Sequence, residues 1–208
     1  MPSLLRRILQ KLRHRFWLAP RGGGKPVPLQ ALDAEYHSGN WDHFFGPDEL
    51  ARHEQMVALI LAQGPRVSLL DLGCGSGRLL SMLPPERLDA YLGVDLSTEG
   101  LKRAGSLGLP HARFQQADFT LWRPSGRYDV ITFNECIGYA ECPARVAADF
   151  ARHLNPGGVV IVSHFRWGNH EAVWRSLEKY FTVVTARTAS NDKGQLWDLR
   201  VLSPRPGA

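Results

Sequence analysis

The stretch Leu69–Leu80, LLDLGCGSGRLL, places an acid and three glycines where an apolar run ends. Asp71 closes the run, and Gly73, Gly75 and Gly77 follow it at alternate positions. Glycine permits positive φ angles and a close approach of a ligand to the backbone. A dinucleotide-binding turn would read G-x-G-x-x-G and would direct a helix N-terminus at a pyrophosphate. The spacing here is G-x-G-x-G, and Asp71 would repel a pyrophosphate, so the turn predicts a cationic ligand.

Two further acids, Asp95 and Asp118, follow the next two strand-like runs, in YLGVDLS and RFQQADF. A carboxylate at the end of a second strand can accept hydrogen bonds from both hydroxyls of a ribose, which NAD and S-adenosylmethionine share. Asp118 is in position to meet an adenine amino group. A single aspartate after a strand is more often a turn residue, so the prediction depends on the succession of three acids.

Strand and helix patterns alternate along the chain, and these elements must position the three acids. Strands are predicted at 66–71, 90–95, 111–116, 128–133 and 158–163, and helices at 48–63, 77–83, 98–105, 143–154 and 170–179. This alternation is typical of α/β folds in which helices cover both faces of a parallel sheet. The short connection between the third and fourth strands predicts a missing or stunted helix. The last two runs, FTVVTART and QLWDLRVLS, flank a turn-forming segment and predict an antiparallel hairpin.

Composition and charge exclude several classes of protein. The 208 residues allow one sizeable domain with a short appendage. Formal net charge is +5, but residues 1–25 hold seven lysines and arginines and no acid, so the remainder is at −2. A general nucleic-acid-binding face is therefore not predicted. Three sparse cysteines without zinc-site spacing suit a reducing, cytoplasmic compartment, and no apolar run reaches the roughly 18 residues that span a bilayer.

Residues 3–18, SLLRRILQKLRHRFWL, have the pattern of an amphipathic helix with arginines on its polar face. Pro20 and the glycines after it end the helix, and a proline-containing linker follows. We therefore divide the chain into a helix and linker at 1–28 and a domain at 29–208. Three interpretations of the helix stay open. Its apolar stripe docks on the domain, it lies on an anionic membrane surface such as the inner face of the cell membrane, or it is a targeting peptide.

Five successive segments resemble the ordered motifs of class I S-adenosylmethionine-dependent methyltransferases: DLGCGSG, GVDLS, QADF, YDVITFNE and LNPGGVVIVS. The resemblance extends from about Tyr36 to Leu202. It implies S-adenosylmethionine as the cofactor and a Rossmann-like methyltransferase fold. That fold is a doubly wound, mostly parallel seven-stranded sheet with a C-terminal antiparallel hairpin, which agrees with the pattern of the tail.

Positions matched to the family motifs give the predicted cofactor-binding residues. The glycine turn would line the methionine portion of the cofactor, Asp95 would hold the ribose, and Asp118 with Phe119 would face the adenine. Arg52 matches an arginine that some relatives place on the cofactor carboxylate, with a solvated helix charge as the alternative. The complete set is Arg52, Asp71, Gly73, Cys74, Gly75, Gly77, Asp95, Leu96, Asp118, Phe119 and Asn134.

A finer resemblance lies in EYHSGNWDHFFGPDELARHE, which is similar to a lead-in segment of bacterial methyltransferases near sugar-modifying and surface-polysaccharide pathways. Those relatives usually carry an NE-x-LYY-like fourth motif, where this chain has NECIGYAE. Tyr139 keeps one aromatic, and Gly138 replaces the other. Because this loop would border the acceptor pocket, the departure leaves the acceptor open.

Methyl transfer to a hydroxyl benefits from a base that takes the hydroxyl proton. Glu135 and His164, just past the fourth and fifth predicted strands, are the candidate catalytic residues. Residues 36–45, here called the N-terminal flap, are expected to close over the cofactor. The flap supplies two weaker candidates for the base, His37 and His43, and an aromatic wall of Tyr36, Trp41, Phe44 and Phe45. The chain lacks the N/D-P-P-Y/F motif of enzymes that methylate base or glutamine amines. It also lacks an evident carboxylate and amide set for magnesium, so no metal is predicted.

The leading functional prediction is methyl transfer from S-adenosylmethionine to a hydroxyl of a sugar, glycan or related small metabolite. N-methylation of an amino sugar or small amine is the alternative within the same class. A catalytically silent cofactor-binding partner in a membrane-attached assembly is the alternative from a different class, and the intact glycine turn argues against it. The expected partner is a small molecule or glycan and not a nucleic acid, with residues 3–18 as the candidate for membrane contact.

Overall fold

The computed structural model describes residues 4–109 and 111–207, with side chains from residue 8 onward. Ser3, the first residue of the predicted N-terminal helix, and Ala208 lie outside the described residues. The helices are α1 (Leu4–Arg13), α2 (Leu29–His37), α3 (Leu50–Leu61), α4 (Arg78–Ser81), α5 (Thr98–Ser106), α6 (Pro143–Ala151) and α7 (His170–Leu177). The strands are β1 (Val67–Leu72), β2 (Leu88–Asp95), β3 (Ala112–Gln116), β4 (Tyr128–Asn134), β5 (Leu154–Phe165), β6 (Phe181–Ser190) and β7 (Leu196–Pro204).

All seven strands form one sheet in the order β3-β2-β1-β4-β5-β7-β6. Strands β1 to β5 pair in parallel, and β7 pairs antiparallel with both β5 and β6. The predicted fold, a mostly parallel seven-stranded sheet with a C-terminal antiparallel hairpin, is confirmed. The strand order reverses between β1 and β4, and open α/β sheets hold their ligands beyond the carboxyl ends of the strands at such a point.

Strand β1 separates two hydrophobic clusters because successive side chains point to opposite faces of a sheet. Leu70 and Leu72 belong to a cluster that includes side chains of α6 and α7. Val67 and Leu69 belong to the other cluster, which includes α3. The residues of α3 predicted to face inward are buried, namely Met56, Leu59 and Ile60. Helices therefore cover both faces of the sheet and leave its carboxyl edge as the platform for a site.

Some element boundaries differ from the predictions for local reasons. Helix α4 ends at Ser81 rather than at residue 83, because Pro84 disfavours a helical conformation in the residue before it. Strand β5 begins at Leu154, which pairs with Tyr128 across an irregularity in the β4–β5 register. Residues 117–127 hold turns and no helix, as the short connection predicted.

The N-terminal segment continues beyond α1 through a π-helical turn at His14–Leu18 and a 3-10 turn at Ala19–Arg21. The chain then joins the domain through two backbone hydrogen bonds. Gly24 N–H donates to the Ala140 carbonyl (2.9 Å), and Lys25 N–H donates to the Gly138 carbonyl (2.8 Å). Within the described part of the chain, no helix is both long and apolar enough to cross a bilayer.

Candidate active site

The glycine turn after β1 has a backbone that other residues rarely adopt. Gly73 and Gly75 have φ angles of +67° and +54°. Gly73 N–H donates to the Val94 carbonyl of β2 (2.8 Å), which holds the turn against the neighbouring strand. A Cβ on Gly73 would lie 2.5 Å from Cys136 Cβ, and one on Gly75 would lie 2.6 Å from the Tyr36 hydroxyl oxygen. The turn therefore requires glycine both for its backbone angles and for its packing.

Asp95 ends β2 beside this turn and is held by backbone donors. Its Oδ2 accepts a hydrogen bond from Gly75 N–H, and its Oδ1 accepts one from Ser97 N–H, each at 2.8 Å. Burial raises the pKa of the carboxyl, while the backbone N–H groups act in the opposite direction. Each carboxylate oxygen carries two lone pairs, so both oxygens can still accept a hydrogen bond from a ligand hydroxyl.

Asp71, the penultimate residue of β1, has an exposure of only 1%. The Tyr91 hydroxyl donates to its Oδ2 (2.8 Å), and the Thr132 hydroxyl donates to its Oδ1 (2.7 Å). Burial raises the pKa of the Asp71 carboxyl to about 6, and these two hydrogen bonds limit the rise. Neither Asp71 nor Asp95 takes part in an ion pair among the described residues. Two carboxyls without a protein cation thus border the same site.

A cavity with about 1080 Å³ of empty volume, including its open mouth, lies over the carboxyl edge of β1, β2 and β4. Ten of the eleven predicted cofactor-binding residues line it, namely Arg52, Asp71, Gly73, Cys74, Gly75, Asp95, Leu96, Asp118, Phe119 and Asn134. Gly77 is the one predicted residue that does not line the cavity. Its φ is +81°, and a Cβ there would lie 2.8 Å from Leu107 Cδ1. Gly77 therefore serves the packing of the turn on the segment that follows α5.

The adenine-facing candidates lie at the end of β3. Asp118 Oδ1 accepts hydrogen bonds from the N–H and the hydroxyl of Thr120, at 2.8 and 2.6 Å. Phe119 packs edge-on against Phe133, with ring centroids 5.9 Å apart, and both Asp118 and Phe119 line the cavity. The Asp118 side chain thus stabilises its own turn and also borders the cavity.

Arg52 of α3 is a buried charge at the cavity wall, with an exposure of 1%. Its guanidinium forms an ion pair with Glu49 (Nη2 to Oε2, 2.7 Å) and donates from Nε to the same oxygen (2.8 Å). Nη1 donates to Asn134 Oδ1 at the end of β4. The alternative of a solvated helix charge is therefore wrong for Arg52. This network joins α3 to the end of β4.

His53, the neighbour of Arg52, is a cavity residue that the sequence analysis missed. Its Nδ1 lies 2.9 Å from the Glu49 carbonyl oxygen. A carbonyl only accepts hydrogen bonds, so Nδ1 carries the proton and Nε2 is left as an acceptor. Burial, and then the Arg52 cation, lower the pKa of His53 to about 3. Arg52 Nη2 lies 3.5 Å from Nε2, so the neutral imidazole at the cavity wall accepts a long hydrogen bond from that guanidinium.

The neutral state of His53 predicts a loss of stability in mild acid. The unfolded chain binds a proton at His53 near pH 6.5, and the folded chain does so near pH 3, so unfolding is favoured as the pH falls between these values. From pH 7 to pH 5, wild type should lose about 2 kcal/mol more unfolding free energy than His53→Gln. Urea unfolding at both pH values measures this. The exposed His37→Gln is the control, and equal losses in wild type and His53→Gln would contradict the prediction.

Of the two catalytic candidates, Glu135 lines the cavity and His164 does not. Glu135 has a φ of +60°, but both of its carboxylate oxygens are engaged. Oε1 accepts from the Ser163 hydroxyl (2.9 Å), and Oε2 accepts from Phe165 N–H (3.0 Å). The His164 ring packs edge-on against Trp174 (centroids 6.3 Å apart), and burial lowers its pKa to about 4.

The N-terminal flap supplies an aromatic wall. Tyr36, Trp41 and Phe44 line the cavity, and the Trp41 and Phe44 rings stack at 4.9 Å. Phe45 is instead 42% exposed, and the flap histidines are exposed as well. Two buried donors that line the cavity, Trp41 Nε1 and Arg78 Nε, have no hydrogen-bond partner within the described residues. Unpartnered buried donors are costly, so the wall is suited to a ligand that carries acceptor atoms.

These features match the chemical groups of S-adenosylmethionine. The two carboxyls suit its ribose hydroxyls and sulfonium charge, and Asp118 with Phe119 suits its adenine. The buried donors and Arg52 suit its carboxylate. Among the described residues, no group of three His, Cys, Asp or Glu side chains is arranged to hold a metal ion.

Comparisons with known proteins identify the family. A family model described as a methyltransferase domain matches residues 3–202. Trans-aconitate 2-methyltransferase from Deinococcus radiodurans is 34% identical over 121 residues, which cover 58% of this chain and 46% of that protein. The dTDP-3-amino-3,4,6-trideoxy-alpha-D-glucopyranose N,N-dimethyltransferase from Streptomyces venezuelae is 32% identical over 134 residues, covering 61% of this chain and 56% of that protein. The chain thus spans about half the length of these curated relatives.

Among solved structures, the fold is similar to that of N-methyltransferase NodS from Bradyrhizobium japonicum WM9 in complex with S-adenosyl-L-homocysteine. The TM-score is 0.73 at 21% identity, over 85% of this chain and 97% of that chain. Fold, cavity and motifs together define a Rossmann-like, S-adenosylmethionine-dependent methyltransferase domain. The chain belongs to the methyltransferase-domain family, and the resemblance found in its motifs is confirmed.

Proposed function

We propose that this protein transfers a methyl group from S-adenosylmethionine to a small sugar-like acceptor, and that the accepting atom is an amine nitrogen. The observation that carries the methyl-transfer proposal is the convergence of ten motif-matched residues on one cavity. S-adenosylmethionine, when bound, supplies a methyl group that its sulfonium charge has already activated. The protein therefore mainly binds, orients and excludes water.

The roles that we propose for the cavity residues follow from their chemistry. Asp95 accepts hydrogen bonds from the ribose hydroxyls, and Asp118 with Phe119 faces the adenine. Arg52 and Asn134, which are hydrogen-bonded to each other, hold the methionine end. The glycine turn brings its backbone close to the cofactor, with Leu96 and Cys74 completing the wall.

An amine acceptor is supported by the state of the candidate bases. Hydrogen bonds from Ser163 and Phe165 of β5 hold the carboxylate of Glu135 on that strand, and His164 packs against Trp174 outside the cavity lining. A hydroxyl must lose its proton as the new bond forms, and so needs a base at that moment. A neutral amine attacks with its own lone pair and sheds a proton to water afterwards. Two of the similar proteins are named as N-methyltransferases, one of them acting on an amino sugar.

A hydroxyl acceptor is the second candidate, and His53 is the observation that favours it. Its Nε2 accepts only a long contact from Arg52 Nη2 (3.5 Å) at the cavity wall, and a sugar hydroxyl that displaces this contact can donate to it. Glu135 and His164 stay predictions for the base in that case: each Glu135 oxygen keeps one lone pair, and His164 would have to move into the cavity.

A matched acceptor panel tests the proposal. Full-length protein is incubated with methyl-labelled S-adenosylmethionine and with pairs of sugars that differ only in an amino or a hydroxyl group at one carbon. We expect label on the amino members, with N-methyl products in the mass spectrum. Label on the hydroxyl members alone would overturn the amine assignment. No label on any sugar, with S-adenosylhomocysteine still bound, would favour the catalytically silent alternative.

A further inference from the structure

The N-terminal segment exposes a contiguous set of large apolar side chains, here called the N-terminal apolar patch: Ile8, Leu9, Leu12, Phe16 and Trp17. It accounts for five of the eleven exposed large apolar side chains among the described residues. Phe16 and Trp17 are 67% and 59% exposed. Isolated exposed apolar residues are ordinary, but a contiguous patch marks an interaction surface. This exposure argues against the interpretation in which the helix docks on its own domain.

Cations accompany the patch, and no acid occurs in residues 1–25. The Arg21 guanidinium lies 3.8 Å from the centroid of the Trp17 ring, and that of Arg15 lies 5.6 Å from the centroid of Phe16. Basic and aromatic groups thus share one surface. An amphipathic helix with this combination suits the headgroup region of an anionic bilayer, where cations meet lipid phosphates and aromatic rings enter the interface.

The patch is fixed to the domain by a tightly packed root, residues 19–25. The Asn169 side-chain amide donates to the carbonyls of Ala19 (3.1 Å) and Gly23 (3.0 Å). A Cβ on Gly24 would lie 2.0 Å from the Gly138 carbonyl oxygen, so position 24 leaves no room for a side chain. Arg13 also forms an ion pair with Glu141 (3.2 Å). These hydrogen bonds and the ion pair hold the patch in one orientation relative to the domain. The division of the chain at residue 28 stays a prediction.

We propose that the N-terminal apolar patch docks this protein on an anionic lipid bilayer. The root runs directly into Pro26 and Val27, which line the cavity. Docking through the patch therefore holds the cavity at a fixed distance from the lipid surface. The proposal concerns the surface alone and does not depend on the acceptor that the cavity takes.

Vesicle flotation of the full-length protein tests the proposal. The vesicles are phosphatidylcholine alone, or phosphatidylcholine with phosphatidylglycerol. Two double variants probe the patch, Leu9→Glu/Leu12→Glu for the apolar contact and Lys11→Glu/Arg15→Glu for the charge. The matched control is Leu121→Glu, an 85% exposed leucine far along the chain. Binding of S-adenosylhomocysteine by every variant shows that the domain is folded, and it separates a failure of docking from a failure of the proposed function.

We expect wild type and Leu121→Glu to float with the anionic vesicles, and both double variants to lose more than tenfold in binding. For the charge variant, that size follows from a loss of roughly fivefold for each of its two cations near an anionic surface, and the apolar variant loses the insertion of two leucine side chains. Wild type that does not float with anionic vesicles would overturn the proposal. So would equal flotation of Leu9→Glu/Leu12→Glu and wild type. Sedimentation without lipid tests whether the patch instead binds a second copy of the chain. A dimer that forms in wild type and Leu121→Glu, and that is lost in the patch variants, would assign the surface to such a dimer and overturn the proposal.

Discussion

Replacing Asp95 with alanine is expected to weaken the binding of S-adenosylhomocysteine more than a hundredfold. The carboxylate is held by Gly75 N–H and Ser97 N–H at the end of β2, where we propose that it accepts both ribose hydroxyls. Hydrogen bonds to a charged group contribute about 1.5–3 kcal/mol each, so losing two of them exceeds the roughly 2.8 kcal/mol that a hundredfold change requires. Isothermal titration calorimetry measures the affinity.

Asp89→Ala is the matched control for this variant, because Asp89 belongs to the same strand but forms a surface ion pair with Arg66. Its affinity should equal that of wild type. Asp95→Asn keeps the shape of the side chain and should fall between wild type and alanine. Unchanged affinity in Asp95→Ala would remove the ribose assignment. A lowered unfolding midpoint accompanied by full affinity would make Asp95 a purely structural residue.

Replacing Arg52 with methionine is expected to reduce the free energy of unfolding by about 3–5 kcal/mol, because it leaves the Glu49 carboxylate buried without its cation. The double variant Glu49→Gln/Arg52→Met removes both charges and should recover much of that loss. Urea unfolding of wild type, both single variants and the double variant gives the coupling energy directly.

The matched control for Arg52 is Arg175→Met, which breaks an exposed pair with Glu171 and should cost less than about 0.5 kcal/mol. A double variant as unstable as Arg52→Met would contradict the charge-burial explanation. The same proteins also test the proposed cofactor role. If Arg52 holds the cofactor carboxylate, the double variant should regain stability without regaining affinity for S-adenosylhomocysteine.

The sheet and most of the site followed from local signals in the sequence. Strand-end acids and a glycine turn mark the carboxyl edge of parallel strands, and parallel strands bring those ends together whatever the details of packing. Asp71, Asp95 and Asp118 are therefore found on one cavity, although they are far apart in the chain. The hairpin of β6 and β7 was equally predictable, because the turn-forming residues between them are adjacent in sequence.

The unpredicted parts depend on tertiary contacts. His53 lies in the polar-looking run ARHEQ, and it becomes a cavity residue only through the tertiary position of α3, whose Arg52 is hydrogen-bonded to Asn134 at the end of β4. The positive φ of Glu135 and its contacts with β5 have no sequence signal. The position of His164, in contrast, did have a sequence signal. Alternate residues of a strand point to the same face of the sheet, so His164 lies on the same face as Val160 and Val162, which belong to the cluster that contains Trp174. Alternation along β5 would have directed His164 toward α7.

If the proposed methyl transfer is right, the two carboxyls without a protein cation among the described residues, Asp71 and Asp95, also affect how the product is released. The methyl donor carries a positive sulfonium, and the product of transfer is a neutral thioether. Buried negative charge favours the donor over the product by Coulomb attraction, and this bias weakens when Asp71 takes a proton. Since burial raises the pKa of Asp71 to about 6, we expect inhibition by the product to be stronger in mild acid than at neutral pH.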